Sequence, residues 1–352
     1  MHSRSRPVRS ALTLLCALTL TACGAKVVEP AAEKPSAGGH YPVTVENCGV
    51  RTTYDKAPER VVTNDVGIAE IMFALGLEDR MAGYVAPDYR TGRTDPGREE
   101  VPWQDGYRKV KWLSKKEITK ELVLDARADL VFAGWNYGFG EGNGLTPAAL
   151  KKLGVGSYVL TESCRNGTGG SGVTGGAARG VMPPLEALYT DLEALGRIFH
   201  VEDRARRLVA DFRQQVARAQ AGVPKDGRAP RVFLYDDGQD KPVTAGAFAG
   251  PHDIITKAGG DHVMKDLKDS WVTVGWESVV ERDPEVIVVN NYGSVSAEQK
   301  KEFLLSYPPL ANVSAVKNKQ IFVLDYVDLV ESPRNPSAIA ALARYLNGVR
   351  DH

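Results

Sequence analysis

An α/β fold with mainly parallel sheets is predicted by three observations. Short apolar segments of strand character alternate with amphipathic helical stretches, the alternation repeats in the second half of the chain, and 352 residues suffice for two lobes with separate cores. In the first half, Pro58-Glu59-Arg60-Val61-Val62 leads into a strand, and Ile68 to Leu77 reads as a helix ended near Gly76. Arg80 to Val85 is the next strand, Glu117 to Leu124 a helix and Asp129 to Ala133 a strand. Thr146 to Leu153 is a helix that starts on a capping Thr followed by a proline, and Gly156 to Leu160 completes a first lobe. In the second half, Arg231 to Tyr235 is a strand, Asp253 to Ala258 and Trp276 to Arg282 are helices, and Val286 to Asn290 and Ile321 to Leu324 are strands. Ligands of open parallel sheets lie beyond the carboxyl ends of the strands, so the loops that follow these strands are where binding groups are expected.

Leu185 to Phe199 and Glu202 to Gln220 read as helical between the halves. In the latter, Ala205, Leu208, Val209, Phe212, Val216 and Ala219 fall at helical spacing with Arg and Gln opposite. Such a helix is about 28 Å long at 1.5 Å per residue, enough to bridge two lobes; a surface helix of one lobe is the alternative. Gly167-Thr168-Gly169-Gly170-Ser171-Gly172 lacks the Gly-Lys-Ser/Thr of a phosphate loop.

The first residues have the layout of a bacterial lipoprotein signal. Arg4, Arg6 and Arg9 form a basic start, Ala11 to Leu20 an apolar run too short to span a bilayer, and Leu20-Thr21-Ala22-Cys23 the cleavage and lipidation segment. An ordinary secretory signal with an unmodified Cys23, or a chance match in a cytosolic protein, are the alternatives. The Ala-, Gly-, Pro- and Glu-rich stretch that follows has too few apolar residues to fold and reads as a tether. The expected organisation is a signal peptide at 1–22, a tether at 23–42, a first lobe at 43–183, a helical region with the interlobe helix at 184–223, and a second lobe at 224–352. The protein is therefore expected outside the cytoplasm, lipid-anchored to the cell membrane. Beyond Cys16 and Cys23, only Cys48 and Cys164 remain. In an oxidising compartment they are expected to form one disulfide, two buried thiols being the alternative, and closing so long a loop is worth roughly 4–5 kcal/mol in the chain-entropy picture.

Composition narrows the partners. With 44 basic and 44 acidic residues and no basic stripe, nothing points to nucleic acid. His40, His200, His252, His262 and His352 show no spacing that assembles a zinc site, there is no C-x-x-C pair, and no direct metal site is expected. No G-x-S-x-G elbow or H-E-x-x-H motif is present, so no catalytic residues are assigned and an enzyme is not expected.

The chain resembles the iron-siderophore and vitamin B12 class of ABC-transporter solute-binding lipoproteins. The likeness runs from Pro58 to about Val349, through Glu70 with Ala74-Leu75-Gly76-Leu77, Ala128-Asp129-Leu130-Val131-Phe132, Leu153-Gly154-Val155, Ala258-Gly259-Gly260, Trp276-Glu277, Asp283-Pro284-Glu285-Val286-Ile287 and Ala315-Val316-Lys317-Asn318. It implies two Rossmann-like lobes joined by a single long interlobe helix, a ligand in the cleft, and modest closure. It also implies that a glutamate on each lobe docks with the permease. Glu277 matches the second-lobe position, and Glu141 stands a few residues before the expected first-lobe position.

The cleft loops suggest what is bound. Trp135, Tyr137 and Phe139 follow a strand amid Gly134, Gly138, Gly140, Gly142 and Gly144, and their broad faces suit a flat or macrocyclic ligand. Tyr84, Tyr89, Trp103, Tyr107 and Trp112 are further wall candidates from the first lobe, as are Tyr235, Trp271, Tyr292 and Tyr326 from the second; each could equally pack inside its lobe. Arg165, Arg334 and Arg90 could pair with oxygens around ferric iron, Arg334 being the best placed, and Asp236 and Asp237 could accept hydrogen bonds or begin a turn. The expectation is a monomeric binder of a ferric siderophore serving an ABC permease and its ATPase, with no cofactor and with iron only as part of the bound chelate. A binder of cobalamin, another corrinoid or a different bulky aromatic metabolite is the first alternative, and an extracytoplasmic enzyme on a two-lobed fold the second.

Overall fold

The computed structural model describes residues 39–87, 101–134, 138–164, 182–225 and 227–350. The body opens with an antiparallel hairpin of β1 (Val43–Asn47) and β2 (Val50–Tyr54). Its two-residue turn, Cys48-Gly49, has positive φ at both positions, 49° and 76°, as a tight turn matched to the strand twist requires. Cys48 and Cys164 are joined in a disulfide with their Cα atoms 5.2 Å apart, so the hairpin tip is tied to the segment that ends the first lobe.

That lobe is a five-stranded parallel sheet. β3 (Val61–Asn64), β4 (Met81–Val85), β5 (Trp112–Ser114), β6 (Leu130–Ala133) and β7 (Gly156–Val159) stand in the order β5-β4-β3-β6-β7. The chain order reverses at β3, and the crevice outside its carboxyl end is where such sheets hold ligands. The intervening helices are α1 (Val66–Ala74), α2 (Gln104–Lys109), α3 (Lys120–Asp125) and α4 (Pro147–Lys152). Thr146 caps α4 with Pro147 at its start, as the sequence predicts, and α1 starts two residues earlier than expected because the Asp65 side chain accepts the Gly67 N–H. Every residue of α1 is buried, including Glu70.

Two helices join the lobes, α5 (Pro184–Phe199) and α6 (Glu202–Ala221). The break between them is His200, a left-handed residue with φ 57°. α5 lies on β1 and on the short turn after β7, whereas α6 lies along the last helix of the chain. The bridge is thus a cornered pair of helices, of which the second, long one follows the predicted bounds.

In the second lobe, β8 (Arg231–Tyr235), β10 (Asp261–His262), β12 (Val286–Asn291) and β13 (Ile321–Asp325) form a parallel sheet in the order β10-β8-β12-β13, while β9 (Val243–Ala245) and β11 (Trp271–Thr273) form a separate antiparallel pair. The helices are α7 (Gly250–Lys257), α8 (Trp276–Arg282), α9 (Ala297–Ser306), α10 (Ser314–Lys317), α11 (Tyr326–Leu329) and α12 (Asn335–Arg350). One apolar cluster runs through both lobes, from Val61, Ile68 and Phe132 through Leu188, Leu192 and Phe212 to Val232, Val286 and Leu342. Burial shared in this way makes the lobes one cooperative body.

Candidate functional site

The carboxyl ends of the two sheets meet across a hydrogen-bonded seam. Asp65 follows β3 and Tyr326 follows β13, and the Tyr326 hydroxyl donates to Asp65 Oδ2 over 2.9 Å. Asp65 holds φ 107°, a conformation costly for a side-chain-bearing residue, and its carboxylate both caps α1 and takes this bond from the other lobe. Beside it, Arg334 donates to both oxygens of Glu70 over 2.5 to 3.1 Å, and Tyr107 donates to Glu70 Oε1 over 2.6 Å. Both partners of this ion pair are buried, so removing either would leave an uncompensated charge. The backbones approach so closely here that a Cβ at Gly67 would lie 2.8 Å from the Glu331 carbonyl oxygen.

A second part of the seam brings three acids together, Glu162, Asp191 and Glu331. The Glu162 N–H donates to Glu331 Oε2 over 2.9 Å, and the Glu331 N–H donates to Glu162 Oε2 over 2.8 Å. Asp191 on α5 accepts from the Tyr158 hydroxyl, the Thr161 N–H and the Thr161 hydroxyl. Burial, with the charges of Asp191 and Glu162 behind it, pushes the Glu331 carboxyl well above the ordinary range. Burial also lifts Asp191 to about 6, against hydrogen bonds from Glu331, Thr161 and Tyr158. Both carboxyls thus hold their protons more tightly in the folded protein than in the unfolded chain.

The second-lobe wall is fixed from beneath. Lys300 of α9, 1% exposed, donates its ammonium protons to the carbonyls of Asp236, Asn290 and Tyr292. These carbonyls belong to the ends of β8 and β12, so one side chain holds both strand-end loops together. Asn290 donates to Asp236 Oδ1 over 2.6 Å, and burial raises the Asp236 carboxyl to about 6. The Tyr292 ring leans on Tyr326 with centroids 5.2 Å apart. Asp328 is raised to about 7 by burial and by the neighbouring Asp325 and Glu70 charges.

Comparison with known proteins points the same way. Residues 61–327 match the family described as periplasmic binding protein. The chain belongs to that family. Among curated relatives it is 22% identical over 321 residues to the petrobactin-binding protein YclQ of Bacillus subtilis, covering 89% of each chain. It is 22% identical over 236 residues to a vitamin B12-binding protein of Yersinia pestis, covering 67% of this chain and 70% of the relative. Among solved structures, an ABC-type Fe3+-hydroxamate transport system of Saccharomonospora viridis superposes with a TM-score of 0.70 at 23% identity, over 87% of this chain and 99% of that one. The two curated relatives are named as binding proteins, and the solved structure as a transport system. Among the described residues no helix is long and apolar enough to cross a membrane.

For a periplasmic binding protein, the expected wall residues divide sharply. Tyr84 is not on an open wall: it is 3% exposed and packs against Phe73, Tyr107 and Trp112. Tyr235 is likewise inside the second lobe, against Trp276 and Phe303. Arg334 is buried and turns its Nε and Nη2 to Glu70, and Tyr326 takes part in the seam. Phe139, Asp237 and Tyr292 are half-buried and follow strand ends, the positions expected of wall groups. Trp112 and Trp271 are half-buried within short strands, Trp112 donating to the Ala86 carbonyl over 3.2 Å and Trp271 packing on the shared core. Glu277, at the start of α8, and Glu141, in the turn after Gly140, are exposed. Cys23, Tyr89, Arg90, Trp135, Tyr137, Arg165 and the Gly-rich run lie outside the described residues.

The sequence reasoning missed the seam acids and the buried lysine. A signal for one of them existed: Glu70 is a lone acid in the otherwise apolar Val66–Ala74 stretch, and an acid so placed requires a buried partner. Sequence spacing also gave no sign that the fold brings His40 and His200 together beside Glu202.

Proposed function

We propose that the protein is an extracytoplasmic lipoprotein that captures a ferric siderophore between its lobes and delivers it to an ABC permease and its ATPase. The observation that carries this reading is the crevice, where two parallel sheets present strand ends to each other over a rigid seam with Phe139, Tyr292 and Asp237 beside those ends. Aromatic faces and fixed hydrogen-bonding groups on preorganised loops suit a bulky chelate, and little ordering entropy is lost when it binds. Iron arrives as cargo within the chelate; no resident cofactor is required. The petrobactin-binding relative favours an iron chelate, and the vitamin B12-binding relative favours a corrinoid as the second reading.

Lipid on Cys23 would keep the binder near its permease, where tethering replaces free diffusion. The exposed Glu277 and Glu141 supply an acid on each lobe for docking. The body is taken to act as a monomer, which light scattering of the purified protein would check.

A fluorescence titration of the purified protein tests the ligand. Saturable quenching by a ferric hydroxamate or catecholate, with no response to cobalamin, is expected; the reverse would establish the corrinoid reading, and turnover of the bound compound would establish an enzyme instead. Glu277→Ala should leave ligand binding unchanged and lower transport, and weakened binding would remove Glu277 from the docking surface.

A further inference from the structure

Far from the strand ends, at the corner between α5 and α6, three metal-ligating side chains converge from separate segments. His40 lies just ahead of β1, His200 is the left-handed residue that ends α5, and Glu202 is the first residue of α6. Each offers a ligand atom, and the three atoms lie within 4.8 Å of one another. His40 Nδ1 is 3.5 Å from Glu202 Oε1, and His200 Nδ1 is 3.5 Å from Glu202 Oε2. A tetrahedral Zn2+ with bonds of about 2.0–2.1 Å places neighbouring ligand atoms about 3.3–3.4 Å apart, so the contacts are already near the required edge length.

The surroundings orient these groups. His40 Nε2 is 2.7 Å from the Arg197 carbonyl, which holds the proton on Nε2 and leaves the Nδ1 lone pair facing Glu202. The neighbouring Tyr41 hydroxyl donates to the Ile198 carbonyl over 2.6 Å and fixes the chain that carries His40. His200 occupies a helix-ending position with φ 57°, where glycine is ordinarily favoured, and its ring centroid is 3.9 Å from that of His40. Two nearby cations are engaged elsewhere: Arg206 pairs with Asp203, and Arg204 donates to the Ala74 carbonyl over 2.9 Å. His40 and Glu202 are partly buried, whereas the His200 side chain is 64% exposed, so solvent can fill a remaining coordination position.

We propose that His40, His200 and Glu202 form a Zn2+-class metal site that clamps the start of the folded body to the α5–α6 corner. Two imidazoles with one carboxylate suit a borderline cation such as Zn2+ or Co2+ and disfavour Ca2+ and Mg2+, which take oxygen ligands. The site fixes where the N-terminal segment leaves the body, and it does not depend on which solute the crevice holds.

The test is a calorimetric Zn2+ titration of the purified, metal-stripped full chain without a histidine tag, with Co2+ absorption as the spectroscopic readout. One equivalent should bind, with visible Co2+ bands of a four-coordinate nitrogen and oxygen site and a rise of a few degrees in melting temperature at saturating Zn2+. His40→Ala, His200→Ala and Glu202→Gln should each weaken binding at least tenfold, while His252→Ala leaves it unchanged. If His40→Ala is poorly folded, His40→Gln at normal melting temperature serves in its place. Absence of saturable binding, or binding insensitive to substitution at 40 and 200, would overturn the site, as would loss of binding in His252→Ala.

Discussion

Two neighbouring parts of the seam hold the lobes together by opposite electrostatics. Glu70 and Arg334 form a buried ion pair in which full charges compensate each other, whereas Glu162, Asp191 and Glu331 form a buried acid cluster in which burial and like charge push Glu331 and Asp191 up. The ion pair depends on both charges being present. The acid cluster is favoured by proton uptake, so pH acts chiefly on the second part.

The largest expected effect comes from breaking the ion pair. Arg334→Ala strands Glu70 in the core and should destabilise the protein by about 3–5 kcal/mol in urea unfolding, and the double variant Arg334→Met with Glu70→Leu should recover much of that loss. A loss of under about 1 kcal/mol in the single variant would show that Glu70 is not committed to Arg334.

Next in size is the pH response of the cluster. Asp191 is raised from an ordinary 3.8 to about 6, and Glu331 is raised well above its ordinary value, so both bind protons more tightly folded than unfolded. Their contribution is therefore fully present below the unfolded pKa values and is lost as pH rises through the folded ones. Over the interval from about pH 4 to 7 the loss should be on the order of 2 kcal/mol. Glu331→Gln keeps a neutral donor and acceptor but cannot ionise, so it should flatten this slope in urea unfolding at several pH values. An unchanged slope would place the proton uptake elsewhere.

The smallest effect belongs to the link between lobes that carries no formal pair. Tyr326→Phe removes the hydroxyl that Asp65 accepts and should cost about 0.5–1.5 kcal/mol, with ligand affinity nearly unchanged. A larger loss of affinity than of stability would move Tyr326 from the seam to the binding wall.

Much of the architecture was legible from local chemistry. The strand at Val61, the Thr146-Pro147 helix start and the apolar stripe of α6 follow from patterning and capping alone. The end of the chain was not: Asn335-Pro336 after Arg334 reads as a loop, yet Asn335 and Pro336 open α12, where a proline is tolerated because the first N–H groups have no helical partner. The site was less legible than the fold. Strands of a parallel sheet are buried on both faces, so period-two alternation cannot tell an aromatic such as Tyr84 or Tyr235 in the core from one on the crevice wall. Glu70 announces a partner but not which one, since Arg334 lies 264 residues away, and His40 is separated from His200 and Glu202 by a whole lobe.

The close approach at Gly67 gives the seam a mechanical tolerance. A single methyl group there would stand 2.8 Å from the Glu331 carbonyl oxygen, and the obstructing atom is backbone that cannot rotate away. Gly67→Ala would therefore act as a wedge driven between the lobes at their joint. The atoms it meets belong to the second lobe, so a shift of a few tenths of an ångström at residue 67 would be taken up across the whole seam.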